Sequence, residues 1–237
     1  MKLGIMQPYF MPYIGYWQLM NAVDQYVVYD DVNFIKGGWI NRNRILLNNE
    51  SKYFNIQMQG ASSNKLINEI GVNHDIHVIN KNLRTLEAAY KEAPYFKAVY
   101  PIIEEILYNP EPSLSIFLLY SIEKIKEYLG INTKLLLSSQ IEKQNELKGQ
   151  EKVLQICEIL NATQYYNAIG GQNLYSYSAF REKGIELIFL KTKEITYKQW
   201  GNNFFPNLSI IDVMMFNAVE EIADMLKEYT VITESNI

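Results

Sequence analysis

The sequence predicts an α/β fold with a Rossmann-like, mainly parallel sheet and an inserted helical lobe, and three observations carry that reading. Lys2 to Arg44 reads as a short apolar strand (Leu3 to Met6), a loop with prolines at 8 and 12, a helix opening near Gly15, and a second strand (Gln25 to Tyr29) running into Asp30 and Asp31. Such a strand, loop, helix and strand make a nucleotide-fold opening unit, whose ligands sit at the carboxyl edge of the strands. Beyond Gly130, strands alternate with single helices, which implies crossover connections and a parallel sheet. Between these parts, residues 75 to 130 carry helical spacing without a strand. The expected organisation is one α/β domain over residues 1–237 with a helical lobe at 75–130.

Each element has a local cause. A polar, Arg-bearing loop follows Asp31, and Ile45 to Asn49 and Tyr53 to Gln57 then flank Asn48-Asn49-Glu50-Ser51 as a hairpin. Leu66 to Val72 reads as one more strand or a turn of helix. Ile76, Ile79, Leu83, Leu86 and Tyr90 share a helix face from Asp75 to Glu92, and Ala93-Pro94 ends it because a residue before proline avoids the α region. Tyr95 to Tyr108 is a second helix. Ser113 is the expected N-cap of a third, which runs through Leu129 and closes at Gly130. Lys134 to Leu137, Gln164 to Ala168 and Ile185 to Leu190 are strands, separated by helices at Leu147 to Leu160 and Leu174 to Lys183. Ser209 to Asp212 resembles a capping box opening a helix that runs to about Tyr229.

Composition excludes several classes. With 48% hydrophobic and 20% charged residues, and no uncharged apolar run long enough for a bilayer, the chain reads as a soluble globule with no membrane span. Pro8 and Pro12 interrupt the apolar start, so no signal peptide is expected and the expected compartment is cytoplasmic. A net charge of -4 argues against a general grip on nucleic acid. Cys157 is the single cysteine and sits on an apolar helix face, where it reads as a small buried hydrophobe.

The chemistry-bearing residues gather at the expected carboxyl edge. Asp30 and Asp31 can hold a divalent metal, accept hydrogen bonds from a ribose or amine, or act as a base; the alternative is a solvated strand end or an Asp–Arg pair. Lys36, Asn41, Arg42 and Arg44 suit a phosphate or carboxylate, with Gly37-Gly38 permitting close backbone approach, against a solvated hairpin edge. Gly170 and Gly171 follow a strand and open a helix, which suits an anion nest or a tight turn. His74 and His77 lack a third metal ligand and read as surface or capping residues.

The stretch MQPYFMPYIGYWQLMNAVDQYVVYDDVNFIKGGWINRNRI resembles the opening of the WbqC-like family. So do AYKEAPYF, the run from Gly170 to Tyr175, and Tyr197-x-Gln199 followed by FFPNLSIIDVMMFN. The resemblance implies a transferase of bacterial surface-polysaccharide (O-antigen) biosynthesis, moving glycine or another small acyl group to an amino sugar or its nucleotide derivative. The alternative is a non-catalytic nucleotide-sugar binder or accessory protein of such a pathway. Pro12 to Tyr16 stands where the nucleotidyltransferase-like superfamily, including pantothenate synthetases, places H-x-G-H, with Tyr13 and Tyr16 in place of the histidines. Tyrosines donate hydrogen bonds to phosphate but supply no cation. On this likeness ATP and Mg2+ are candidate cofactors, the cofactor itself being left open, and a nucleotide-linked amino sugar is the expected partner. Gln7, Tyr13, Gly15 and Tyr16 line the ligand, with Tyr16 and Asp30 or Asp31 catalytic or, for the carboxylates, metal-binding. Lys36, Arg42 and Arg44 hold phosphates, Tyr175, Tyr197 and Gln199 contact the sugar or its nucleotide, and Asn41, Gly170 and Gly171 complete the substrate-binding set.

Overall fold

The apolar run near the amino end becomes β1 (Lys2–Met6), and the prolines keep the next segment out of helix until α1 (Ile14–Asn21). This computed structural model describes residues 1–236. The chain continues through β2 (Gln25–Val28), the hairpin strands β3 (Arg42–Leu47) and β4 (Glu50–Asn55), and a short pair, β5 (Met58–Gln59) and β6 (Gly71–Val72). Three helices follow without a strand between them: α2 (Ile76–Tyr90), α3 (Phe96–Tyr108) and α4 (Leu114–Tyr128). Alternation then resumes with β7 (Lys134–Leu137), α5 (Gly149–Ile159), β8 (Gln164–Ala168), α6 (Tyr177–Glu182) and β9 (Glu186–Thr192). The chain closes with α7 (Ile210–Phe216), α8 (Val219–Met225) and β10 (Tyr229–Ile232).

The main sheet has the order β10-β9-β8-β1-β2-β7. Every neighbouring pair is parallel except β9 with β10. The expected mainly parallel α/β sheet is therefore present. Strand side chains alternate between two cores, as a pleat requires. Leu3, Ile5, Val27, Tyr165, Leu187 and Phe189 pack with α5 and Phe180 of α6. Tyr26, Val28, Leu137, Tyr166, Ile188 and Leu190 pack instead with α1, α4, α7 and Ile222 of α8. Because β1, β2, β7, β8 and β9 run the same way, the loops after all of them open on one edge.

Four local expectations change. Arg42, Asn43 and Arg44 lie in β3 rather than in a loop, because the hairpin register extends from Leu47 opposite Glu50 back to Arg42 opposite Asn55. Its turn is only Asn48-Asn49, at φ 53° and 58°, the left-handed pair that a two-residue hairpin with the sheet's twist requires. Residues 169–174 form a 3-10 turn, so α6 opens at Tyr177 rather than Leu174. The long final helix divides at Asn217, whose side-chain amide donates to the Val213 carbonyl at 2.8 Å and competes with helix continuation. The chain beyond α8 then pairs with β9 instead of extending a helix. Leu66 to Val72 holds both of the readings open for it, a 3-10 turn at 67–69 and the strand β6.

No helix among the described residues is long and apolar enough to cross a membrane. Gly130 adopts φ +67° at the end of α4, and an added Cβ there would meet nothing within 4 Å. Gly130→Ala is therefore expected to lose about 1 kcal/mol from the left-handed backbone alone, measured as a lower urea midpoint with unchanged slope.

Candidate functional site

β2 ends at the open edge of the sheet, and the two carboxylates after it have different surroundings. Asp30 is 1% exposed. One of its oxygens accepts from the Ser139 amide at 2.9 Å, and the other from the hydroxyls of Ser115 and Ser139, each at 2.7 Å. The residue thus ties the end of β2 to α4 and to the loop after β7. Asp31 meets two cations instead: Lys143 Nζ lies 2.7 Å and Lys152 Nζ 3.0 Å from its Oδ2. Lys152 also donates to the Asp31 carbonyl at 2.9 Å. Burial alone would raise the Asp31 pKa, but the Lys143 and Lys152 ammoniums outweigh it and hold the carboxyl below its usual range. Asp31 is therefore ionised at neutral pH.

Asp31 and Lys152 of this cluster line a cleft of about 460 Å³ with Tyr29, Asn33, Asn68, Ser139, Asn145, Lys148 just before α5 and Gly149 at its start. Its size suits a small-molecule ligand. The first amides of an α-helix have no partner within it and attract negative charge, and Lys148 adds a cation beside them. Neither Lys143 nor Lys152 belonged to the expected site. No short motif marks them, because the fold brings Lys152 across 121 residues to Asp31.

The cationic stretch after Asp31 divides between two further surfaces. Lys36, Asn41 and Arg42 line an open cleft with Tyr53. Arg42 stacks 4.4 Å from the Tyr53 ring and donates to the carbonyls of Gly37 and Gly38. Asn41 donates its amide to the Ile56 carbonyl at 3.2 Å. Arg44 faces another cavity with Tyr9, Tyr13, Trp39, Asn43 and Asn207. Gly15 lies beneath the Tyr13 ring: a Cβ there would sit 2.5 Å from that ring and 2.7 Å from Thr192 Oγ1. Tyr16 is 3% exposed, packs against Tyr9, Trp17 and Tyr26, and donates its hydroxyl to the Gln7 carbonyl at 3.3 Å.

At β8, Gly171 fits closely under the Asn167 side chain, while Gly170 has open space beside it. Tyr175 packs on Tyr165 and Phe180, with the Tyr165 and Tyr175 hydroxyls 3.3 Å apart. Tyr197 and Gln199 converge on Asp212, a fully buried carboxylate that the capping-box expectation assigned to its own helix start. Instead, its Oδ1 accepts from Tyr90 at 2.8 Å, and its Oδ2 from Tyr197 at 2.8 Å and Gln199 at 2.7 Å. Ser209 caps Ile211 and donates to the Met11 carbonyl. Burial outweighs these donors and raises the Asp212 pKa. His74 contacts the Glu111 carbonyl, and the Asp75 side chain caps the His77 amide. Cys157 is fully buried, its thiol pushed up to about 12 by burial and the nearby Glu158 charge. Among the described residues, no group of three or more His, Cys, Asp or Glu is placed to hold a metal ion.

The two acids have opposite pH signatures. Asp31, with its lowered pKa, contributes stability above the unfolded carboxylate value of about 3.9 and loses it as pH falls through the folded value. Asp31→Asn leaves two buried ammoniums without their anion and is expected to cost about 3 kcal/mol in urea unfolding at pH 7. Asp212, with its raised pKa, favours the fold at low pH and loses that contribution as pH rises from about 4 through the folded value. Asp212→Asn should therefore flatten the fall of the urea midpoint over that rising-pH window, and an unchanged profile would exclude this role.

The WbqC-like protein family model matches residues 7–224. An uncharacterised protein of Mycobacterium tuberculosis (strain ATCC 25618 / H37Rv) is 27% identical over 230 residues, covering 95% of this chain and 97% of the relative. No solved structure matches the chain. The match spans the opening loop, the hairpin and its arginines, the acids after β2 and the Asp212 network, and the chain belongs to the WbqC-like protein family.

Proposed function

We propose that the protein is a transferase of bacterial surface-polysaccharide biosynthesis that adds glycine or another small acyl group to a nucleotide-linked amino sugar. The observation that carries this reading is the cleft at the carboxyl edge of β2, where Asp31 sits between Lys143 and Lys152 beside Lys148 and the start of α5. Taken in chain order, the six strands of the main sheet lie 3-2-1-4-5-6, the order of the doubly wound nucleotide-binding folds. This supports a Rossmann-like assignment and a ligand at that edge.

In this reading Lys148 and the first amides of α5 hold phosphate, while Asn33, Asn68, Ser139 and Asn145 meet sugar hydroxyls. Tyr29 offers an aromatic face, and Asp31 holds Lys152 at the cleft wall. The same cations suit the phosphates of ATP. Asp31 does not suit a protein-held Mg2+, because two ammoniums already lie against its Oδ2 and its Oδ1 is buried. The depressed pKa of Asp31 also makes it a weak base. That observation favours a second reading, a non-catalytic nucleotide-sugar binder that uses the same cleft.

Incubation with ATP, magnesium, glycine and an amino-sugar nucleotide separates the two. The transferase reading expects AMP or ADP release together with a mass gain on the sugar. Sugar-nucleotide binding by calorimetry, without turnover on any amine acceptor, would leave only the binder. Lys148→Ala should weaken sugar-nucleotide binding by about tenfold, the order of one charged hydrogen bond to phosphate. Unchanged affinity would remove this cleft as the phosphate site.

A further inference from the structure

Tyr9, Tyr13, Trp39, Asn43, Arg44 and Asn207 enclose a second cavity, of about 260 Å³, that shares no residue with the cleft at Asp31. Its cation is held in an incomplete state. The Arg44 guanidinium lies 5.6 Å from the Trp39 ring centroid, and one terminal nitrogen donates to the Asn207 carbonyl at 3.4 Å. The Nε is buried and has no hydrogen-bond partner. A buried donor left unsatisfied is costly, and a guanidinium with a free N–H matches the paired oxygens of a carboxylate or phosphate.

The rest of the wall suits a ring that carries such a group. Trp39 is 39% exposed, although it is a large aromatic that folding would normally cover. Burial raises the pKa of Tyr9 and Tyr13, so both hydroxyls remain protonated donors. Asn43 is already committed, donating to the Phe10 carbonyl and accepting from the Arg44 amide. The volume lies below the usual range for drug-sized ligands, which limits the occupant to about one ring and its substituents.

We propose that this cavity binds a monocyclic oxyacid, a single ring stacked on Trp39 whose carboxylate or phosphate is held by Arg44 and the tyrosine hydroxyls. The site is independent of the transferase reading, so its test contains no ATP and no sugar nucleotide. Calorimetry with glucuronate, glucose 1-phosphate and benzoate covers a sugar carboxylate, a sugar phosphate and an aromatic carboxylate, with methyl glucoside as the neutral ring.

At least one acid is expected to bind tenfold or more tightly than methyl glucoside, and the acid preferred identifies the ring and its charge. Arg44→Gln and Trp39→Ala should each weaken that binding tenfold or more, with circular dichroism confirming the fold. If Arg44→Gln does not fold, Trp39→Ala and Tyr13→Phe decide the matter. No binding of any acid, equal binding of the neutral ring, or unchanged affinity in the folded variants would overturn the proposal.

Discussion

Three consecutive buried carbonyls, those of Phe10, Met11 and Pro12, set the constraint on which much of the structure depends. They lie in the loop between β1 and α1, where the backbone makes no regular ladder. Buried carbonyls without partners are strongly unfavourable. Most of the donors come from distant elements: Asn43 of the hairpin for Phe10, the Ser209 hydroxyl for Met11, and for Pro12 the first amide of α7 together with Trp17 of the adjoining α1. Satisfying this one loop therefore fixes the hairpin and α7 against the sheet. The Arg44 carbonyl completes the junction by accepting from the Ser209 amide at 2.8 Å. The cavity around Arg44 is bounded by side chains of this same junction, so its shape follows from backbone accounting.

The acids show how surroundings divide chemically similar groups. Asp30 and Asp31 are adjacent in sequence, yet one is committed to hydroxyl and amide donors and the other to two ammoniums at the edge of an open cleft. Asp212 has neutral donors, and burial prevails. Charge compensation in the first cluster keeps an anion beside a ligand-sized space, whereas the Asp212 network joins α2, the Tyr197 segment and α7 within the core. The sheet edge therefore carries a carboxylate compensated by two ammoniums, and the interior acid acts as a structural link.

Much of the architecture was legible because its signals are local. Strands alternating with single helices announced the parallel sheet, and Gly130 marked the end of α4 through its left-handed backbone. Cys157 read as core from its apolar neighbours alone, and it is buried. The carboxyl edge was legible as a place too, since the loops after parallel strands converge by geometry. Errors arose where tertiary contacts override local pattern. Arg42 to Arg44 looked like a polar loop, yet hairpin register placed them in a strand, where their guanidinium groups stack on Tyr53 and Trp39. The final helical pattern gave way at Asn217 to a side-chain hydrogen bond, and the chain end found the open edge of β9.

Taken alone, the sequence determined the α/β class, the order of the helices and of the main-sheet strands up to β9, and the edge at which Asp30 and Asp31 would stand. These follow from periodicity and turn chemistry, which act over a few residues. Only the tertiary structure decided that Lys143 and Lys152 neutralise Asp31, that Asp212 leaves its own helix start for Tyr90, Tyr197 and Gln199, and that the cationic stretch is split between two cavities. Those pairings join residues far apart in the chain. They are selected by burial and charge compensation in the packed state, for which a linear pattern carries no local signal.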